Sequence, residues 1–352
     1  MSRGGLACAL AALSCAGALS AQPVPRIAAA PYRTVRVITL PGSTVTPVIA
    51  RLGGGYAVGL AAPPQLVFLR DDLSVEAIAP LEARPDSLTA RADGAVLVSS
   101  EPGATFTVAP DGTVRDALTW RGTRNPSAWF SSDDGSLYRS AIQEGRFYLQ
   151  VIGPAPYAQR RVAIPYSTAT VTAVDARRAG LMTRWGYLCL DTAGRFQVVA
   201  SLARVRVLSS LGGRDGVAFL SDESLAFAGP DGVPTVTLRL ASPPAWVTPA
   251  PDGIAVLLGG ASPTLVRYDL DGTLRSQSTV PAGSLGPRYD RTGAMIIATN
   301  RGILTAFGPD GAERWRMNLG EDVIGPLVPR PEGGWLVSTA RNGVMVLDEG
   351  AP

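Results

Sequence analysis

The sequence predicts an all-β fold, and three observations carry that prediction. Turn-forming residues recur at a near-constant interval, short apolar runs lie between them, and the chain holds 39 Gly and 29 Pro among its 352 residues with only 17% charged. Gly and Pro interrupt helices and supply the backbone angles of tight turns, so this mixture builds strands and hairpins rather than long helices. The length is enough for one large or two ordinary domains with a substantial core.

The interval is the decisive feature. Turn signals fall at Gly54, Gly94, Gly135, Gly180, Gly216, Gly253, Gly293 and Gly334, spaced 36 to 45 residues apart. In most units a second signal follows 14 to 19 residues later, as at Asp71 and Asp72, Asp111 and Gly112, Asp271 and Gly272, or Asp310 and Gly311. Between the two sits a third break, clearest at Pro102 and Gly103, Glu144 and Gly145, Gly259 and Gly260, and Asn300 to Gly302. Such residues tolerate the positive φ angles of hairpin turns. The segments between them read as strands. Residues 95–98, 254–258 and 294–298 are continuous apolar runs, as expected of strands covered on both faces, and 273–279 and 313–319 are more mixed. Three turns and four strands per unit make the blade of a β-propeller. Eight units predict an eight-bladed β-propeller of four-stranded antiparallel blades across residues 32–350, with seven blades the alternative count because the unit around Ala179 is irregular.

The ends of this region bear on how the ring closes. The eighth unit has inner strands at 327–328, 335–339 and 344–348 and no room for an outer one. An orphan alternating strand at 32–40, with Val35, Val37 and Thr39 on one side, precedes the first unit. Pairing the two closes the ring and hides its edges.

Residues 1–21 read as a signal peptide: Arg3, an apolar stretch from Leu6 to Leu19, then small residues up to Ala21. Residues 22–31 are a linker. That stretch is too short to span a bilayer, and no later segment reads as a transmembrane helix. The protein is therefore expected to be exported, periplasmic or extracellular. Of the three cysteines, Cys8 and Cys15 fall in the signal, leaving Cys189 alone and no intramolecular disulfide. Cys15, after Leu13 and Ser14, is a candidate lipid anchor, with ordinary cleavage near Ala21 the favoured reading. Cys189, between Leu188 and Leu190, reads as a buried structural thiol.

The run Ala306-Phe307-Gly308-Pro309-Asp310-Gly311-Ala312-Glu313-Arg314-Trp315 resembles the repeat signature of the pyrroloquinoline-quinone-like propellers, and Pro251-Asp252-Gly253 with the apolar strand after it resembles WD-like envelope repeats. The resemblance implies that Trp315 docks between neighbouring blades as a structural residue. It fades at Asp111 and Gly112 and at Asp271 and Gly272, which lack the following tryptophan. Family members range from quinoprotein dehydrogenases to non-catalytic scaffolds, such as the propeller lipoprotein of the outer-membrane β-barrel assembly machinery, so fold alone does not choose a function.

The chemistry narrows the choice. With no histidine in the sequence, a histidine-based hydrolase or zinc site is excluded. The adjacent cysteine pair of the quinoprotein dehydrogenases is missing from the mature chain, and no cofactor is expected. The net charge of +3 comes without a basic block, so the electrostatic footprint of a nucleic-acid binder is absent. The loops that lead into each innermost strand hold the candidate channel-mouth ligands: Asp86, Arg124, Asn125, Tyr166, Arg204, Glu321 and Asp322. Solvated loop residues are the plainer reading of each. Ser131 to Tyr138 matches the spacing of an Asp-box and is read as a turn. Trp129, Trp246 and Tyr289 fall on innermost strands, where packing between blades is the commoner role and a ligand surface the other. The expected function is a monomeric, extracytoplasmic, non-catalytic scaffold that binds a protein or peptide. The alternatives are a calcium-dependent hydrolase or lactonase at the channel mouth, or a carbohydrate-binding propeller.

Overall fold

A computed structural model describes residues 28–349 except 92, 101–103, 118–122, 125–128, 132–134, 154–157, 165–167, 176–177, 184–185, 192–194, 201–204, 212–215, 230–232, 291 and 342. Residues 1–21, read above as a signal peptide, most of 22–31, read as a linker, and Cys15 lie outside the described residues. Every described element is a strand, and the strands form eight antiparallel sheets. Blades 1 to 7 occupy 49–80, 85–117, 123–164, 168–200, 205–239, 244–279 and 288–318. Blade 8 combines Val328–Pro329, Trp335–Thr339 and Gly343–Glu349 with Tyr32–Ile38 from the start of the domain. The ring is therefore eight-bladed and closed by the N-terminal strand. The unit around Ala179 is an ordinary four-stranded blade, so the seven-bladed count falls.

Within a blade the strands are called a to d in sheet order. Strands a of successive blades approach one another, which places them at the central axis. Strands b and c are the most buried, as in Gly253–Leu258, where every residue is inaccessible. Strands d alternate, as in Pro234–Arg239, because one face packs on the neighbouring blade and the other meets water.

The turns explain the repeat. At the c–d turn, the Asp111 carboxylate accepts the Thr113 amide at 2.9 Å and that of Asp271 accepts the Thr273 amide at 2.8 Å. Hydrogen bonds from Thr113 and Thr273, backbone first and then side chain, hold both carboxyls below the usual range. The following Gly112 and Gly272 take φ of 82° and 88°, a region that suits glycine. In blade 3 the b–c hairpin turns through Glu144 and Gly145 at φ of 52° and 74°, the pairing of angles that matches the twist of adjoining strands.

Apolar clusters join each blade to the next. Among the described residues there are eight, one at each interface around the ring. At the blade 7–8 interface Trp315, 6% exposed, meets Tyr32 edge to face with ring centroids 5.4 Å apart. The chain before the closing strand is tied to the same place, since the Ala28 amide donates to the Arg314 carbonyl at 2.9 Å. The N-terminal segment thus runs beside strand d of blade 7 before becoming strand d of blade 8. Its register is Tyr32 with Glu349 to Ile38 with Val344, interrupted between Thr34 and Arg36. That irregularity leaves Val35 unpaired and breaks the expected alternation. Tyr32 and Ile38 are buried, while Val37 is 40% exposed.

Two expectations follow. Trp315→Ala removes a buried indole that several blade-8 residues pack against, and should lower the unfolding free energy by about 3–5 kcal/mol in urea titration; a loss below about 1 kcal/mol would place the closing contact elsewhere. Burial also pushes the Tyr56 and Tyr289 phenols up to about 12 from the usual 10.0. The folded state then keeps protons that the unfolded chain releases, so this contribution to stability is complete below pH 10.0 and is lost as pH rises through about 12. The double variant Tyr56→Phe and Tyr289→Phe should show a shallower alkaline loss of stability over that window, and an unchanged slope would contradict the assignment.

Candidate functional site

The loops that enter strands a and the b–c turns share one end of the ring, and backbone hydrogen bonds lace them together. In the stretch between blades 7 and 8, Leu319 and Val323 amides donate to Gly302 and Asn300 carbonyls of the blade 7 turn at 2.8 and 3.0 Å. On the other side, the Ile324 amide donates to the Ser338 carbonyl at 2.8 Å and the Ala340 amide to the Asp322 carbonyl at 3.1 Å, which ties the same stretch to blade 8. The next loop joins the same lattice through the Val48 amide, which donates to Ser338 Oγ at 2.6 Å. Gly302 is required here: its φ is 77°, and a Cβ would collide with the Glu321 carbonyl. A face tied this way is a rigid platform, which suits a preorganised site.

One side chain on this platform stands apart. Exposed large hydrophobics sit mostly on strands d or in turns, as do Val75, Ile78, Val114 and Leu274. Trp246, 41% exposed, is the one found on a strand a among the described residues. It follows an irregularity between Pro244 and Trp246 in the pairing with strand b, where Ala245 has no partner. A bulge of this kind turns the next side chain to a new direction. The indole lies over Gly286 of the loop that enters blade 7, where an added Cβ would stand 2.9 Å from Cε3. A glycine there lets a flat ring bridge two blades with its other side open.

The residues expected at the channel mouth fare differently. Asp86 is exposed on strand a of blade 2 and occupies a bulge, since Pro85 pairs with Ser100 and Ser87 with Ser99. Glu321 is half-buried and Asp322 exposed, both in the loop before blade 8. Arg124 pairs with Ile142 in the short strand Thr123–Arg124. Asn125, Tyr166 and Arg204 lie outside the described residues. Among the described residues, no group of three His, Cys, Asp or Glu side chains is placed to hold a metal ion. Asp86 in blade 2 and the Glu321–Asp322 pair beside blade 8 do not form one.

Aromatics on or just before other strands a turn into the blade interfaces. Trp129 is 6% exposed and stacks on the Arg139 guanidinium, 4.5 Å from ring centroid to Cζ. Tyr289 is half-buried against Arg267 at 5.6 Å, and Arg267 is paired with Asp252 at 3.1 Å. Cys189 is buried on strand c of blade 4. Sequence reasoning passed over Arg139 and Arg267, both at most 5% exposed. The available signal was a cation inside an otherwise apolar run, as in residues 137–142.

No known protein family and no curated protein matches the sequence. Solved structures do match in fold. BamB from Moraxella catarrhalis is 16% identical, covers 90% of this chain and 97% of its own, and has a TM-score of 0.66. The BBS1N propeller, crystallised in complex with ARL6DN, is 10% identical over 92% of this chain and 98% of its own, at a TM-score of 0.57. The dihydro-heme d1 dehydrogenase NirN is 16% identical over 85% of this chain and 76% of its own, at 0.61. At these identities the likeness is one of architecture, the β-propeller ring itself, and a protein captured with a partner and an enzyme both share it.

Proposed function

We propose that this chain is an extracytoplasmic, non-catalytic propeller scaffold whose loop-bearing face binds a protein or peptide segment at Trp246. The observation that carries the reading is the exposed indole on an innermost strand, spanning blades 6 and 7 on a rigid face. Tryptophan is costly to leave in water and is strongly enriched at the centres of binding sites. Strand a of blade 6 is also an edge strand, hydrogen-bonded on one side only, so an extended peptide has both a backbone edge and an aromatic anchor to engage. Two of the fold relatives fit this use, BamB as an envelope-type propeller and BBS1N as one captured with a protein partner. The signal-like N-terminus read in the sequence supports a site of action outside the cytoplasm. Carbohydrate is the second reading, because an exposed indole also stacks on a sugar ring.

The test is a photo-crosslinking residue at position 246, compared with the same residue at 274, which is equally open at 52% exposure but lies on strand d of blade 6. A discrete protein adduct at 246 and none at 274 is expected in the source cells. Adducts at 274 alone would move the interface to the rim, and none at either position would sink the scaffold reading. Melting of the purified protein with calcium and with chelator separates the hydrolase alternative. The scaffold reading expects no calcium-dependent change in Tm. A saturable rise that Asp86→Asn or Asp322→Asn abolishes would establish a native-state metal site and overturn it.

A further inference from the structure

Arg139 lies on strand b of blade 3 and faces blade 2. It is 1% exposed, and around it Gln150 and Thr105 are 0% and Trp129 6% exposed. Its Nε donates to Gln150 Oε1 at 2.6 Å and its Nη1 to Thr105 Oγ1 across the interface at 3.0 Å. Among the described residues the remaining nitrogen, Nη2, has no acceptor, and neither do two buried donors beside it in the fold, Gln150 Nε2 and Trp129 Nε1. No carboxylate pairs with Arg139 among the described residues. Other buried arginines are treated differently. Arg51 is paired with Glu76 at 2.6 Å, Arg267 with Asp252 at 3.1 Å, and Arg91 has Asp93 at 3.8 Å. Among the described residues, the apolar cluster at this interface comprises Leu97, Trp129, Leu137 and Ile152.

We propose that the blade 2–3 interface is an anion-binding site for a single small monovalent anion of halide size, held by Arg139 Nη2 with Gln150 Nε2 and Trp129 Nε1. A buried cation without a counter-charge is strongly disfavoured, and a pairing anion removes the greater part of that cost. The chemistry of the leftover groups selects an anion over water. All three are donors, and a water accepting from them must still find acceptors for its own two protons. An anion only accepts. The Gln150 orientation agrees, because its Oε1 is already engaged by Nε and its amide nitrogen is left to the ligand. The burial of Arg139, Gln150, Thr105 and Trp129 favours a small anion over an oxyanion carrying a large substituent. The single guanidinium sets the charge. Desolvation holds the Arg139 guanidinium down near 10, and an anion beside it acts in the opposite sense. This site is remote in character from the Trp246 face: it is internal and joins two blades, so its occupant stabilises the ring rather than recruits a partner.

The test uses the purified full-length mature protein at constant ionic strength, with sodium chloride or bromide replacing sodium gluconate, a bulky organic anion. A saturable rise in Tm of about 2–5 °C is expected with either halide. The Arg139→Met variant, which keeps much of the apolar stem without the guanidinium, should show none. A halide-independent Tm in the native protein, or the same rise in both proteins, would overturn the proposal as a general salt effect. Should Arg139→Met fail to fold, diffraction from bromide-soaked native crystals at the bromine edge decides. An anomalous peak within hydrogen-bond reach of Arg139 Nη2 supports the site, and its absence there refutes it.

Discussion

A four-stranded blade with apolar side chains on both faces has no stable existence alone, and that constraint organises everything else in this protein. Strands such as Leu225 to Ala228 and Val96 to Val98 are inaccessible from either side. Each blade therefore needs two neighbours, and a linear stack would leave two faces wet. Closing the stack into a ring removes both, so long as the last blade is completed. The first strand of the domain does this by pairing with Gly343–Glu349, and Trp315 with Tyr32 seals the joint from the blade before. Stability of the whole ring depends on contacts between residues about 300 positions apart in sequence, which is a non-local arrangement and a slow one to fold.

Much of this was legible in the chain. Spacing of Asp–Gly turns reports the blade because the carboxylate caps the turn amides and the glycine supplies the positive φ, both local effects. Continuous apolar runs report strands b and c because both faces are covered. The closing strand was legible as a surplus at one end and a deficit at the other. Its internal pattern was not, since the register shift between Thr34 and Arg36 belongs to the pairing with Leu347 and Val346, far along the chain.

Sites were read less well, for a physical reason. Propeller faces are assembled from eight separate loops, so residues that meet in space are scattered at the blade interval and carry no common motif. Trp246 looked like packing because most aromatics on strands a do pack, as Trp129 and Tyr289 do. Its exposure depends on the bulge before it and on Gly286 in the next blade, neither of which a single position reveals. Arg139 was missed because its partners, Thr105 and Gln150, lie on two other strands and one other blade. A charged residue within an apolar run was the visible trace, and the interface explains it only when both blades are in place. Trp246 thus lies open on the loop-bearing face, while Arg139 reaches across a blade interface to Thr105.

The central claim is that ring closure by residues 32–38 is part of the global fold rather than a loosely attached strap. Native-state hydrogen exchange of the amides in Gly343–Glu349 tests it most directly, with the blade 6 strand Gly253–Leu258 as the internal reference. The account predicts that the amides of the two strands exchange with the same opening free energy, the one that denatures the whole domain. Exchange of Gly343–Glu349 through a local opening several kcal/mol easier would contradict it, and would mean that the ring holds without its N-terminal strand.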